Sequence, residues 1–431
     1  MLTHLATGRI IAHGGGIPRR DPYSFTALHH PWVVQSWLAE ATYGWLERIG
    51  GLHLVVLEQM VLAGALALTI AWLARTGRPL ETGLGGVVVV FLGAGYWSPR
   101  PLLFGLLALA LTVAITEGRH SPWWLVPVVW VWVSTHASFP LGGAWLVLSL
   151  IGEAIQGKGV ISRRRVQCLG AFLVGLVVAM ANPLGPSLLL FPLKVQQKES
   201  VFKTIIEWAS PNFQVGAGLL ALVGLTAAVI IMARGRPSWT HAIPAAAFVA
   251  FGLYASRNLA AAAIVLAPAL GESLRHGQPR PADGKPSPID RAFVVVIAII
   301  AISSVVAVYR RPGVQPTGYP VAAVTWLQRQ GLRDSPHRVV TPDVVGNYLE
   351  YRFGIQSRVF IDDRYDMFPT QVSNDSDALF FVRPNALQVL DRYKVDVVLW
   401  QTDHAFAVLL TASGLWHQVY RSQGWVVFVR R

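Results

Sequence analysis

Residues 52–74 read LHLVVLEQMVLAGALALTIAWLA, and this run decides what kind of chain follows. It is long and apolar enough to cross a bilayer, which takes roughly 20 residues. Its one carboxylate, Glu58, lies about two turns in, where it costs on the order of 2–3 kcal/mol unless it is paired or reaches water. Glu58 therefore either lines a cavity or bonds to a neighbouring helix. Working outward, further apolar runs fall near 82–97, 101–116, 122–134, 139–156, 166–181, 216–233, 241–255, 258–274 and 291–309. Over the whole chain 53% of residues are hydrophobic and 14% charged, against roughly 25% charged in soluble domains. The expected fold is an α-helical polytopic membrane bundle of about ten spans.

The net charge of +13 is explained by the loops. Alternate loops hold Arg75, Arg78, Arg119, Lys158, Arg163, Arg164, Arg165, Arg234, Arg236, Arg275, Arg280, Lys285 and Arg291. The other set holds only Arg100, Lys194, Lys198, Lys203 and Arg257. The bias of basic residues toward the cytoplasm assigns the first set to that side and removes the reason to expect nucleic acid. Residues 1–51 and 310–431 then both lie outside. Met1–Leu5 has neither the charged nor the apolar region of a signal peptide, so a first span missing upstream of Met1 is expected. Glu153 sits near the inner end of its run and is expected to reach the interface. The single cysteine, Cys168, supports neither a disulfide framework nor a cysteine metal site.

That topology gathers the unusual residues on one face: Asp21, Glu40, Arg100 between two prolines, His136, Asn182-Pro183-Leu184-Gly185, Glu207-Trp208 and Arg257. Such a set suits transfer of a sugar from a polyprenyl-phosphate donor. A carboxylate must accept the acceptor's proton, and cations must hold the departing phosphate. Asp21 is the candidate base or ligand of a divalent metal (Mg or Mn), with Glu40 and Glu207 as further carboxylates. Arg100, Arg257 and His136 are candidates for the phosphate. Each has a plainer explanation. Asp21 before Pro22 starts a turn, Arg100 anchors a helix end, His136 is satisfied within the bundle, and Glu207-Trp208 docks at the interface.

After Arg310 the pattern alternates. Strands are expected at His337–Thr341, Arg358–Ile361, Val395–Trp400, Trp416–Arg421 and Trp425–Val429, and helices at Tyr319–Gln330, Asp343–Tyr351, Ala386–Tyr393 and His404–Ser413. This reads as a small extracytoplasmic α/β domain with no nucleotide-binding fingerprint. Asp362, Asp363 and Arg364 follow a predicted strand, where α/β sheets bind ligands. They hold a metal or a sugar hydroxyl, or else form a solvated ion pair. Asn374-Asp375-Ser376 matches a glycosylation sequon.

His4-Leu5-Ala6-Thr7-Gly8-Arg9, Asp21-Pro22-Tyr23-Ser24-Phe25-Thr26 and Trp37-Leu38-Ala39-Glu40 resemble the first outer loop of bacterial GT-C superfamily membrane proteins. That superfamily includes oligosaccharyltransferases and protein O-mannosyltransferases. Arg100-Pro101, Thr135-His136, Asn182–Gly185, Glu207-Trp208 and Phe360–Arg364 look like a branch of it with an outer C-terminal domain. The resemblance implies a bundle of eleven to thirteen spans in the cytoplasmic membrane, a polyprenyl-phosphate-linked sugar as donor, and a glycan, lipid or protein as acceptor. It also implies catalysis by an acidic residue of the first outer loop, a role that falls on Asp21. The superfamily's usual acidic residue lies upstream of the His4 segment, before Met1. A non-catalytic protein of envelope assembly or lipid-carrier binding is the alternative. A transporter would show inverted repeats with paired broken helices, and these are not seen.

Overall fold

The computed structural model describes residues 1–214, 216–275 and 318–431, with isolated positions between 276 and 317. The expected span at 291–309, and Arg280, Lys285 and Arg291, fall outside the described residues apart from those isolated positions. Helices stand at the other nine expected runs: α2 (Trp37–Leu73), α3 (Pro79–Gly93), α4 (Leu102–Glu117), α5 (Leu125–Thr135), α6 (Pro140–Gln156), α7 (Arg163–Val178), α10 (Gly216–Gly235), α11 (Trp239–Tyr254) and α12 (Leu259–Leu274). They follow α1 (Leu2–Ile10), and the segment between α7 and α10 forms α8 (Ser187–Gln197) and the short α9 (Glu199–Phe202). Among the described residues, α2 and α10 are the helices long and apolar enough to cross a membrane.

Helix α2 is two helices in sequence. Gly50 and Gly51 leave helical geometry, Gly51 at φ 69°, a left-handed conformation that a β-carbon disfavours. The run from Leu52 is the apolar stretch; the part before it belongs to the polar end of the bundle. At the centre lies α12, buried on nearly every side, as a helix apolar all round should be. Its alanines and Gly271 permit close approach: a β-carbon on Gly271 would stand 2.8 Å from the backbone of Ala74. Large apolar side chains point outward instead, among them Val61, Leu68, Phe91, Ile151, Val177 and Val229. So many exposed large apolar side chains on these helices are unusual for a water-soluble protein.

One end of the bundle carries a buried polar network. Arg165 of α7 pairs with Glu117 of α4 at 2.6 Å and reaches Glu153 of α6 at 3.6 Å. His241 of α11 stands between Glu117 at 3.2 Å and Glu272 of α12 at 2.6 Å. The sequence placed Arg165 among solvated loop charges, and Glu153 at the interface; the structure buries Arg165 against helix ends and ties Glu153 to it.

The C-terminal part packs α13 (Val321–Arg329), α14 (Asp343–Phe353), α15 (Thr370–Phe380), α16 (Ala386–Arg392) and α17 (Ala405–Ala412) around a four-stranded sheet. The strands are β1 (Val339–Val340), β2 (Val397–Gln401), β3 (Trp416–Ser422) and β4 (Trp425–Arg430), ordered β1-β2-β4-β3. β1 and β2 run parallel and the other pairs antiparallel. β2 and β4 are buried almost throughout, whereas edge strand β3 is largely exposed and irregular between Gln418 and Tyr420.

Two expectations change here. Arg358–Ile361 is not a sheet strand: Val359 makes an isolated parallel bridge to Ser24 in the N-terminal loop. The sequon Asn374–Ser376 lies within α15, with Asp375 and Ser376 buried and Asp375 held by Arg392 and Tyr393. The same bridge shows where the N-terminal segment belongs. Leu2, Ala6, Tyr23, Ala27, Trp32 and Val34 share one core with the C-terminal sheet and helices.

Helices α1 and α2 cross in backbone contact. A β-carbon on Gly44 would stand 2.0 Å from the Gly8 carbonyl oxygen, and one on Gly8 2.2 Å from that of Glu40. Gly44→Val forces the two helices apart. It should cost about 1–3 kcal/mol, seen as a lower unfolding temperature in detergent; an unchanged temperature would contradict this crossing.

Candidate functional site

The stretch around Asp21 folds as a tight loop because its side chains bond to their own backbone. One Asp21 carboxylate oxygen accepts from the Tyr23 N–H at 3.2 Å, and the other from the Ser24 N–H at 3.0 Å and the Ser24 hydroxyl at 2.6 Å. This is the turn chemistry expected of Asp before Pro. Asp21 is fully buried, and the guanidinium of Arg364 stands 2.8 Å from its Oδ1. Arg364 also meets Asp362 at 2.6 Å and Glu350 at 3.2 Å, and lies over the rings of Tyr23 and Trp32.

One arginine thus joins the N-terminal loop, α14 and the loop after Phe360. Burial alone would favour loss of its proton, but Asp362, Glu350 and Asp21 together hold it firmly charged. Glu350 is pushed well above the usual carboxylate range by burial and by the charge of Asp362, with Arg364 opposing. Both Asp21 oxygens are occupied, so Asp21 offers a metal no free face, and the residues do not fit a metal there. Among the described residues, no group of three His, Cys, Asp or Glu is placed to hold a metal ion.

Asp363 is placed differently from its neighbours. Its backbone N–H donates to Asn347 Oδ1 at 3.1 Å, and that oxygen also accepts from Thr3. As a whole residue Asp363 is half-buried. Burial works to raise its pKa, but nearby positive groups, His4, Arg100 and Arg364 among them, outweigh this and lower it. These influences define a second cluster, where the bundle meets the C-terminal part.

In that cluster His4 Nδ1 lies 2.7 Å from Glu40 Oε1, and the other Glu40 oxygen is buried without a hydrogen-bond partner, the kind of exception that asks for an explanation. Arg100 reaches Glu207 at 3.4 Å, with both side chains about half exposed. Arg257 lies 4.6 Å over the ring of Trp208, and Ser256 ties its turn to Glu207 through a 3.1 Å bond to the backbone oxygen. The Arg257 pKa is lowered by burial, with Glu207 opposing. His136 Nδ1 accepts from the Ser138 N–H and contacts its hydroxyl at 2.8 Å. Burial, then Arg257 and His4, push His136 down to about 3. A neutral imidazole is thus favoured there. Gly105 makes room for this turn, since a β-carbon would stand 2.5 Å from Ser138 Oγ.

The predicted residues therefore divide. Glu40, Arg100, His136, Glu207, Arg257 and Asp363 are near enough to influence one another's charge, directly or through His4; Asp21, Asp362 and Arg364 form the buried hub. Asn182 closes its own turn, accepting from the Leu184 N–H and donating to Gly185. Sequence reasoning gave no role to Glu350, an unremarkable glutamate in a polar helix, or to His4, whose partner is 36 residues away. The loop after α8 closes one side: Lys198 Nζ donates to the backbone oxygens of Asp366 and Phe368 at 2.6 and 2.7 Å.

Asp366, beside the hub, is raised to about 6 by burial, against the pull of Arg364 and Lys198. A carboxyl raised in the folded state stabilises below its unfolded pKa and loses that contribution as pH rises through the folded value. Asp366→Asn should therefore gain stability over wild type as pH rises from 4 to 6, with no gap below that window. A difference in unfolding temperature that does not vary with pH would refute this.

No protein-family model and no curated protein matches the chain. Among solved structures it is similar to the archaeal oligosaccharyltransferase AglB from Archaeoglobus fulgidus, determined in complex with an inhibitory peptide and a dolichol-phosphate. The two are 11% identical with a TM-score of 0.49, over all of this chain and 70% of the other.

Proposed function

We propose that the chain is a membrane glycosyltransferase of the GT-C type. In this reading it moves a sugar from a polyprenyl-phosphate donor to an acceptor hydroxyl or amide at the outer face of the cytoplasmic membrane. The observation that supports this most is the meeting of Arg100, Arg257 and His136 with the carboxylates Asp363 and Glu40, where an apolar-surfaced bundle joins a water-facing part. Arg100 and Arg257 take the phosphate, since guanidinium makes paired bonds to its oxygens. Arg100 is free to do so because its bond to exposed Glu207 is long and weak.

The reaction is an inverting displacement. The acceptor atom forms a bond to the anomeric carbon, the bond to the phosphate oxygen breaks, and polyprenyl phosphate leaves with the bonding pair. The acceptor's proton passes to a carboxylate. Asp363 is assigned that role, with Glu40, oriented by His4, as the second carboxylate; Asp21 positions Arg364 and through it Asp363. Incubating the purified chain in nanodiscs with radiolabelled polyprenyl-phosphate hexoses should release polyprenyl phosphate in the presence of acceptor-bearing envelope extract. Arg100→Met with Arg257→Met should abolish donor binding.

A non-catalytic lipid-carrier reading is favoured by one observation, the complete sequestration of Asp21. It predicts donor binding that depends on the same arginines, with no release of polyprenyl phosphate.

A further inference from the structure

A second concave site lies on the other side of the Asp21 turn. A cavity of about 590 Å³ is walled by Pro22–Phe25 and Leu28 from the N-terminal loop, and by Asp334, Ser335, Arg338, Ile355, Gln356 and Arg358 from the C-terminal part. It is separate from the cluster of Arg100, His136 and Arg257, none of which lines it. The segments that form it are joined by the backbone bridge between Ser24 and Val359, so its shape is set by the fold.

Its chemistry is mixed in a particular way. Phe25 and Pro22 contribute apolar lining, and Leu28 and Ile355 are exposed, 53% and 63% accessible. Arg338 and Arg358 bring two positive charges. Arg338 is held with its guanidinium carbon 5.8 Å from the centre of the Phe25 ring and donates to the Tyr393 carbonyl, and neither arginine has a carboxylate partner for its guanidinium among the described residues. The cavity's one carboxylate, Asp334, is already paired with Arg333. Arg358 has φ 48°, a left-handed conformation unusual for a residue with a β-carbon and of the sort that gathers at binding sites. Ser335 and Gln356 add neutral hydrogen-bonding groups.

We propose that this cavity binds an anionic carbohydrate, with the apolar face of a sugar ring on Phe25 and Pro22 and its carboxylate or phosphate between Arg338 and Arg358. Guanidinium groups without a protein counter-ion suit an oxyanion with paired acceptor atoms, and an aromatic ring with a proline beside it is the apolar surface that a sugar ring's C–H face packs on. The site goes beyond the glycosyltransferase reading. It holds an acidic glycan away from the reacting atoms, as an acceptor chain or as a free ligand.

The test is a titration of the full chain in detergent with tetragalacturonate, in the absence of any donor, followed by calorimetry. Maltotetraose serves as the neutral sugar and tetraglutamate as an anion without a sugar ring. Saturable binding of tetragalacturonate is expected, weakened roughly tenfold or more in Arg358→Ala and in Arg338→Ala and also weakened in Ile355→Ser. Both arginines are exposed, so the variants should keep the wild-type unfolding temperature, checked in the same samples. No binding of tetragalacturonate, equal binding by wild type and the double arginine variant, or equal binding of tetraglutamate would each overturn the proposal. Since no turnover is measured, failure here leaves the glycosyltransferase reading untouched. Where binding is found, loss of transfer to acidic but not neutral acceptors in the arginine variants marks an acceptor, and unchanged transfer marks a free ligand; both support the site.

Discussion

Arg364→Met should be among the most damaging single changes in the C-terminal part of this protein. Arg364 is the countercharge for Asp21, Asp362 and Glu350, all of them with 0% exposure. Methionine leaves those carboxylates in a low-dielectric interior, and removing one partner of a buried ion pair costs about 3–5 kcal/mol. For a unit of this size that lowers the unfolding temperature by about 10 °C or more, measured on the purified chain in detergent. Arg364→Lys should fall between the two, since it keeps the charge but loses the planar fork that meets Asp362 through Nε and Nη2 at once and the stacking on Tyr23 and Trp32. The decisive comparison is the triple variant Arg364→Met, Asp21→Asn, Asp362→Asn. If uncompensated charge is the cause, removing the carboxylates restores much of the loss; if lost packing is the cause, it restores nothing. An Arg364→Met protein as stable as wild type would refute the hub.

The dependence of this hub on tertiary structure explains what the sequence could and could not disclose. The apolar runs were legible because span length and hydropathy are local properties, and the helices from Leu52 to Leu274 stand where those runs stand. Strands β2, β3 and β4 were legible for the same reason. Helix α15 was not, since TQVSNDSDALF looks polar while its buried Asp375 is compensated by Arg392 and Tyr393 from another segment. Val359 looked like a strand residue, but it makes a single isolated bridge, to Ser24 rather than to the sheet.

The division of Asp362 from Asp363 is the sharpest instance. The two are adjacent and identical in type, yet one faces Arg364 in the interior and the other faces the cluster near Arg100 and His4. No spacing rule distinguishes them. Asp21 drew attention for its turn chemistry, and turn chemistry is what its carboxylate performs. His4 and Glu40 meet because Gly8 and Gly44 allow two backbones to touch, a contact visible only once the helices are known to cross.

Asp363→Asn should lower the turnover number by about 10²–10⁴ while leaving the Michaelis constant for the donor nearly unchanged, as expected for loss of a proton acceptor. The argument rests on how the residue is held. Its backbone is fixed by Asn347, and among the described residues no side chain donates to its carboxylate, so the amide substitution should leave folding intact. The nearby positive groups that keep its pKa low keep it ionised, and they fall short of it as hydrogen-bond partners, leaving its oxygens for an incoming acceptor. Glu40→Gln should act differently: it disturbs the 2.7 Å contact with His4 and so should change donor binding along with turnover. Release of polyprenyl phosphate by the purified variants separates the outcomes. Turnover retained in Asp363→Asn but lost in Glu40→Gln would move the base to Glu40. Turnover undetectable even in wild type, with donor binding abolished by the two arginine substitutions, would identify a carrier that holds the lipid-linked sugar without cleaving it.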